Sequence, residues 1–157
     1  KPTQVIQAPC GSRGFGKSVS VCDDWLVVGA PLSCGGGRVY LYGFVGEKYR
    51  LFKEIKIPEN SDSCVFGYDV SINEKYFAVS DPMCGNHMNF DNYCGGTSHP
   101  GKIYLYDIES GKKVSEKVTE NAAGGHVIHL GTKNIFEGNP SANLNQGEVN
   151  IYDYNEF

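Results

Sequence analysis

The chain has 157 residues, with 14 Lys and Arg against 18 Asp and Glu, a formal net charge of -4. A chain of this length buries a core of its own, and its charge offers no basic field to draw in nucleic acid or an anionic membrane surface. Its longest apolar run, residues 25–31, falls far short of the roughly 20 residues that cross a bilayer as a helix, so membrane insertion is not expected either.

Read in chain order, the sequence repeats itself. Residues 4–7 form a short candidate strand, and residues 14–42 then read GFGKSVSVCDDWLVVGAPLSCGGGRVYLY. A second segment, VFGYDVSINEKYFAVSDP at 65–82, resumes as GKIYLYD at 101, and a third, AGGHVIHLGTKNIFEGNP at 123–140, resumes as GEVNIYD at 147. Gly16 to Pro31, Gly67 to Pro82 and Gly125 to Pro140 all span 15 positions. In each unit an alternating strand comes first: Val19 and Val21, then Val70 and Ile72, then Ile128 and Leu130 mark its buried face. A polar turn follows (Cys22-Asp23-Asp24, Asn73-Glu74-Lys75, Gly131-Thr132-Lys133), then a more apolar strand at 25–28, 76–79 and 134–136 that Gly or Pro ends. The third strand is aromatic and β-branched, at 39–42, 103–106 and 149–152, a composition that suits a pleated, half-buried surface. Fourth strands are expected at 51–57 and 113–118, with residues 4–7 as the matching segment ahead of the first unit. The third unit departs from the others by carrying Asn134 and Glu137 at buried-face positions.

Four short strands per unit, at a spacing of about 50 residues and with no helical periodicity between them, point to β-propeller blades, with an all-β solenoid or sandwich as the alternative. Phe15-Gly16, Val27-Val28-Gly29-Ala30-Pro31 and Gly37-Arg38-Val39-Tyr40-Leu41-Tyr42 resemble the FG-GAP repeat of integrin-α-like propellers. The second unit keeps Phe66-Gly67 and replaces Gly-Ala-Pro with Ser80-Asp81-Pro82, and the third keeps only Gly124-Gly125 and Gly138-Asn139-Pro140. The resemblance implies an all-β chain of three FG-GAP-type four-stranded blades, with repeats at about 10–57, 58–118 and 119–157 in a single domain, 1–157. Integrin-type blades hold calcium in a long Asp-rich loop between their first two strands. The turn at Asp23-Asp24 is too short to wrap an ion, so this is the short-turn version and no cofactor is expected.

The one long insertion, residues 83–99, is the expected binding loop, with Cys84, Asn86, His87, Asp91, Tyr93, Cys94 and His99 as its candidate contacts. Cys84, His87, Cys94 and His99 also form a weak zinc alternative, in a spacing that matches no standard finger. Six cysteines in a chain of this size favour an oxidising compartment, and Cys10, Cys22, Cys34, Cys64, Cys84 and Cys94 are all disulfide candidates, with a Cys84–Cys94 staple favoured. In a propeller, Cys22 would stand alone at the end opposite the other five. A start at Lys1 without a Met fits a processed product, while the chain holds no Asn-x-Ser/Thr sequon. His126 and His129, three apart on a strand, point to opposite faces and do not share an ion. No nucleophile elbow, phosphate loop or zinc-protease motif occurs, and Gly35-Gly36-Gly37 precedes a strand rather than a helix, so no enzyme is expected. Packing between blades explains the Tyr-rich third strands better than ligand stacking does.

The expected function is therefore a non-enzymatic recognition or adhesion module, extracellular, secreted or on the cell surface, that binds a protein partner through blade-end loops. A structural subunit of an appendage, filament or matrix is the alternative, and a lectin binding a glycan is a third. Three blades are too few for a closed ring, which has about 4 to 8. The chain is then either a partial propeller or half of a six-bladed ring, completed head-to-tail by the strands of another copy.

Overall fold

The structure is a computed structural model that describes residues 1–33, 35–59, 65–82, 101–119, 126–140 and 142–157. It is all-β, with three antiparallel sheets in sequence order. The first holds β1 (Ser18–Cys22), β2 (Trp25–Ala30), β3 (Arg38–Val45) and β4 (Lys48–Lys56). The second holds β5 (Val70–Ile72), β6 (Tyr76–Asp81), β7 (Lys102–Asp107) and β8 (Lys113–Val118). Among the described residues the third holds β9 (Val127–Leu130), β10 (Asn134–Asn139) and β11 (Glu148–Asp153), in the order β11-β10-β9. The same irregularity of register falls between Leu41 and Tyr42 in β3 and between Leu105 and Tyr106 in β7, so the first two sheets are copies down to their bulges.

The sheets stack face to face, and each has a forward face turned toward the next sheet and a rear face turned toward the one before. Val27, Val39, Leu41 and Ile55 on the forward face of sheet 1 meet Val70, Ile72, Phe77, Val79, Tyr104 and Tyr106 on the rear face of sheet 2. Ala78, Ile103 and Leu105 of sheet 2 then meet Ile128, Leu130 and Ile135 of sheet 3. Polar groups key the innermost strands together: Ile72 N donates to Ser20 Oγ (3.2 Å), and at the same repeat position Leu130 N donates to Ser71 Oγ (2.9 Å). Ile128 N donates to Asp69 Oδ2 (2.8 Å). Each bond satisfies an edge N–H that a buried inner strand would otherwise leave unpaired.

The repeated Phe-Gly pairs have a structural reason. Phe15 stands edge-on to Tyr40 and Tyr42, with ring centroids at 5.5 and 6.4 Å, and Phe66 stands in the same way to Tyr104 and Tyr106, at 5.4 and 6.4 Å. The tyrosines of the third strand are thus packing residues, as their alternation implies. The backbone of Phe66-Gly67 crosses onto sheet 1 so closely that a Cβ at Gly29 or at Gly37 would lie 2.2 Å from a carbonyl oxygen of Gly67 or Phe66. Gly37 pairs with Phe66 in a parallel bridge and has φ +101°, so its position is closed to other residues on both counts.

Two sequence expectations are corrected. Residues 4–7 do not form a strand: Gln4 bonds the backbone of Tyr49 through its side chain, and Ile6 lies with Phe15 over the rear face of sheet 1, on Val28, Ala30, Tyr40 and Tyr42. Val19 and Val21 are not buried but 62% and 60% exposed, although Val70, Ile72, Ile128 and Leu130 at the same repeat positions are buried. The cause lies outside the strand. These side chains face rearward, and in the first unit no preceding sheet covers them.

Candidate functional site

At the junction between sheets 2 and 3 the repeat stops being apolar. Glu137 of β10 takes the place held by Val79 in the second unit, and Asn150 of β11 takes that of Tyr104, while Tyr152 keeps that of Tyr106. Where the aromatic set fills the first junction, this smaller polar set leaves a recess of about 280 Å³, lined by Lys117, Thr119, Glu137, Asn139, Glu148, Asn150 and Tyr152.

The local geometry follows from strand pairing. Glu137 and Asn150 are direct partners in the β10–β11 register, as are Asn139 and Glu148 two rungs on, so four polar side chains share one face. Glu137 is only 1% exposed. Its Oε2 accepts from Tyr152 OH at 2.7 Å and from Asn150 Nδ2 at 3.4 Å, the support a buried carboxylate requires. Asn150 Nδ2 also reaches Glu148 Oε1 at 3.3 Å, and Asn143 Nδ2 donates to Glu148 Oε2 at 3.2 Å. Across the junction Lys117 Nζ lies 4.4 Å from the centre of the Tyr152 ring, a cation–π contact. Thr119 closes the wall, with its N and Oγ1 both donating to Gly101 O, at 2.9 and 3.0 Å.

Beside Glu148, β10 passes to β11 through a left-handed turn at Ala142–Asn145. Asn143 (φ 52°, ψ 52°) and Leu144 (φ 58°, ψ 42°) both occupy the left-handed region there, and the Leu144 side chain is almost wholly exposed. Asparagine tolerates that region and leucine does so at a cost of about 1–2 kcal/mol. The turn therefore holds an apolar side chain out beside a polar recess. Chemically the recess combines two carboxylates, two amides, a phenol and an ammonium group. Both carboxylates accept from neighbouring side chains, Glu137 from Tyr152 and Asn150, and Glu148 from Asn150 and Asn143.

Of the site residues expected from sequence, Cys84, Asn86, His87, Asp91, Tyr93, Cys94 and His99 lie outside the described residues, as do Cys34 and Cys64. Cys10 is an exposed free thiol. Cys22 is half-buried and also free, and burial, then the charges of Asp23 and Glu74, push its thiol pKa up. Cys22 ends β1 beside the β1–β2 turn, and Cys10 lies in the segment ahead of β1. His126 packs on the Tyr68 ring at 5.8 Å, and burial pushes its pKa down, whereas His129 is exposed and lies 6.4 Å from the Phe136 ring. Among the described residues no three His, Cys, Asp or Glu side chains gather as a metal site, and no helix is long and apolar enough to cross a membrane.

Sequence reasoning marked Glu137 as a departure but did not see the recess around it. The signal was available in the aligned units: Glu137 stands for Val79 and Asn150 for Tyr104, two replacements on one rear face.

No protein-family model matches the chain, and no curated protein matches it. Among solved structures it is similar to a europium-containing methanol dehydrogenase, a propeller protein, with a TM-score of 0.55 and 14% sequence identity over 87% of this chain. The chain spans 22% of the length of that protein. The likeness is one of fold: an all-β, propeller-like stack of antiparallel sheets.

Proposed function

We propose that the chain is a non-enzymatic recognition module of the FG-GAP propeller type, working outside the cell, which takes a donor-bearing group of a protein partner into the Glu137 recess. The observation that carries this reading is the replacement of a buried Val and Tyr by Glu137 and Asn150 at one junction only, with a lined cavity as the result. A junction that served stability alone would keep the apolar set, because a buried carboxylate must recover a desolvation cost of several kcal/mol. The crossing of Phe66-Gly67 onto Gly29 and Gly37 supports the FG-GAP assignment, since it gives those motif residues a shared contact. The exposed Leu144 extends the contact surface in this reading.

The test uses three probes of stated chemistry, arginine amide, lysine amide and free hexoses, titrated into isotope-labelled protein while backbone and side-chain shifts are followed. The proposal expects arginine or lysine amide to move the signals of Glu137, Asn150 and Tyr152 and to lose that effect in Glu137→Val. Hexoses acting there instead would replace the protein partner with a glycan and favour a lectin. No probe acting at the recess would overturn the proposal. A structural subunit is the second reading, favoured by the bare apolar face of sheet 3, where Val127, Val149 and Ile151 are exposed.

A further inference from the structure

The chain builds the same sheet-to-sheet junction twice and leaves over the two halves of a third. On the forward side, sheet 3 presents Val127, Val149 and Ile151, which are 58%, 67% and 61% exposed, with Phe136 among them. Val39 and Leu41, at the repeat positions of Val149 and Ile151, are fully buried in sheet 1. On the rear side, sheet 1 presents the exposed Val19 and Val21, whose counterparts are buried in both later sheets. His129 stands on the forward face where Ser20 and Ser71 accept an N–H from the next inner strand.

A strand is left over in the same sense. Among the described residues β3 and β7 each have an outer neighbour, β4 and β8, and β11 has none. The chain also has an outer-strand segment without a sheet. Ile6 lies nine residues before Phe15, as Ile57 lies nine before Phe66. Ile57, just past β4, packs on the cluster that contains Tyr104 and Tyr106, and Ile6 packs on the cluster that contains Tyr40 and Tyr42. Residues 4–7 thus lie on sheet 1 as the end of a preceding outer strand would.

We infer that the forward face of sheet 3 docks on the rear face of sheet 1 of a second copy of this chain, with residues 4–7 of that copy running along the outer edge of β11. The contact is heterologous, and two copies joined in this way at both ends make six sheets, within the range of closed propellers. Burying five apolar side chains and pairing a strand edge supply both a driving force and a register. The inference does not depend on the Glu137 recess, which lies on the rear side of sheet 3.

The test is native mass spectrometry of the wild type and of two variants, Val21→Asp and Ile151→Asp, each altered at an exposed position. Circular dichroism serves as the control that both variants remain folded. The wild type is expected as a dimer and each variant alone as a monomer. An equimolar mixture of the two variants is expected to regain a dimer, because the intact forward face of Val21→Asp meets the intact rear face of Ile151→Asp. A wild type that stays monomeric at the highest concentration it tolerates would overturn the inference. So would a mixture that stays monomeric, or a dimer that either variant leaves unchanged.

Discussion

The two junctions inside the chain use the same strand positions for different ends. Between sheets 1 and 2, Phe66, Phe77, Val79, Tyr104 and Tyr106 fill the space, and the Phe77 and Tyr106 rings stack at 5.0 Å and 9°. Between sheets 2 and 3, Ile128, Leu130 and Ile135 still pack on sheet 2, but farther along β10 and on β11 Glu137, Asn139, Asn150 and Glu148 line a cavity. Apolar contact and the Ser71 and Asp69 hydrogen bonds hold the sheets together at one end of the junction, and the chemistry changes at the other. A repeat thus separates the positions that hold its sheets together from those that can carry a site.

Breaking the aromatic junction should produce the largest effect. Phe66→Ala removes a fully buried ring that touches both tyrosines and should cost about 3–5 kcal/mol, read as a lowered midpoint in urea unfolding. A loss below about 1 kcal/mol would mean that this junction does not carry the fold. Gly37→Ala sets a methyl group against the Phe66 carbonyl at a positive φ and should cost about 2–3 kcal/mol in the same assay. If Gly37→Ala unfolds like the wild type, the close approach of Phe66 to sheet 1 is wrong.

The polar junction should respond differently. Glu137→Gln keeps the shape and an acceptor for Tyr152 while removing the charge, so stability should change by less than about 1 kcal/mol. Affinity for arginine amide should fall about tenfold with the loss of a charge-assisted bond. Equal affinities for variant and wild type would show that the charge is not part of recognition. The smallest effect should come from His126, whose pKa burial holds below its ordinary value. A depressed pKa means stability that is present above about pH 6.5 and lost as pH falls through the folded-state value. Thermal midpoints measured across that window should drop slightly in the wild type and stay flat in His126→Gln, and a drop of equal size in both would assign the effect to another group.

The fold was legible where repeats spoke with one voice. Gly and Pro spacing, the alternating Val70 and Ile72, and the Tyr40/Tyr42 and Tyr104/Tyr106 pairs marked strands that the sheets reproduce. Val19 and Val21 misled because a strand records only which face is apolar, and whether that face is covered depends on a neighbouring sheet. Residues 4–7 have the composition of a strand, but they meet the edge strand β4 through the Gln4 side chain, which bonds the Tyr49 backbone, and not by backbone pairing. The recess was hidden for a related reason: Glu137 and Asn150 are 13 residues apart and become one site only through the β10–β11 register, while Lys117 and Thr119 come from another sheet. The segment 83–99 drew attention by its length, a cue that says where a chain is free to vary and not which groups converge.

In the proposed reading, the third unit gave up stability for the Glu137 recess. That exchange is tested most directly by urea unfolding of the double variant Glu137→Val/Asn150→Tyr, which restores the second unit's residues at both positions. The account predicts a gain of about 1–2 kcal/mol over the wild type, because an apolar set replaces a buried carboxylate and fills the recess. A loss of stability of similar size would contradict it, since Glu137 and Asn150 would then be structural supports of the junction.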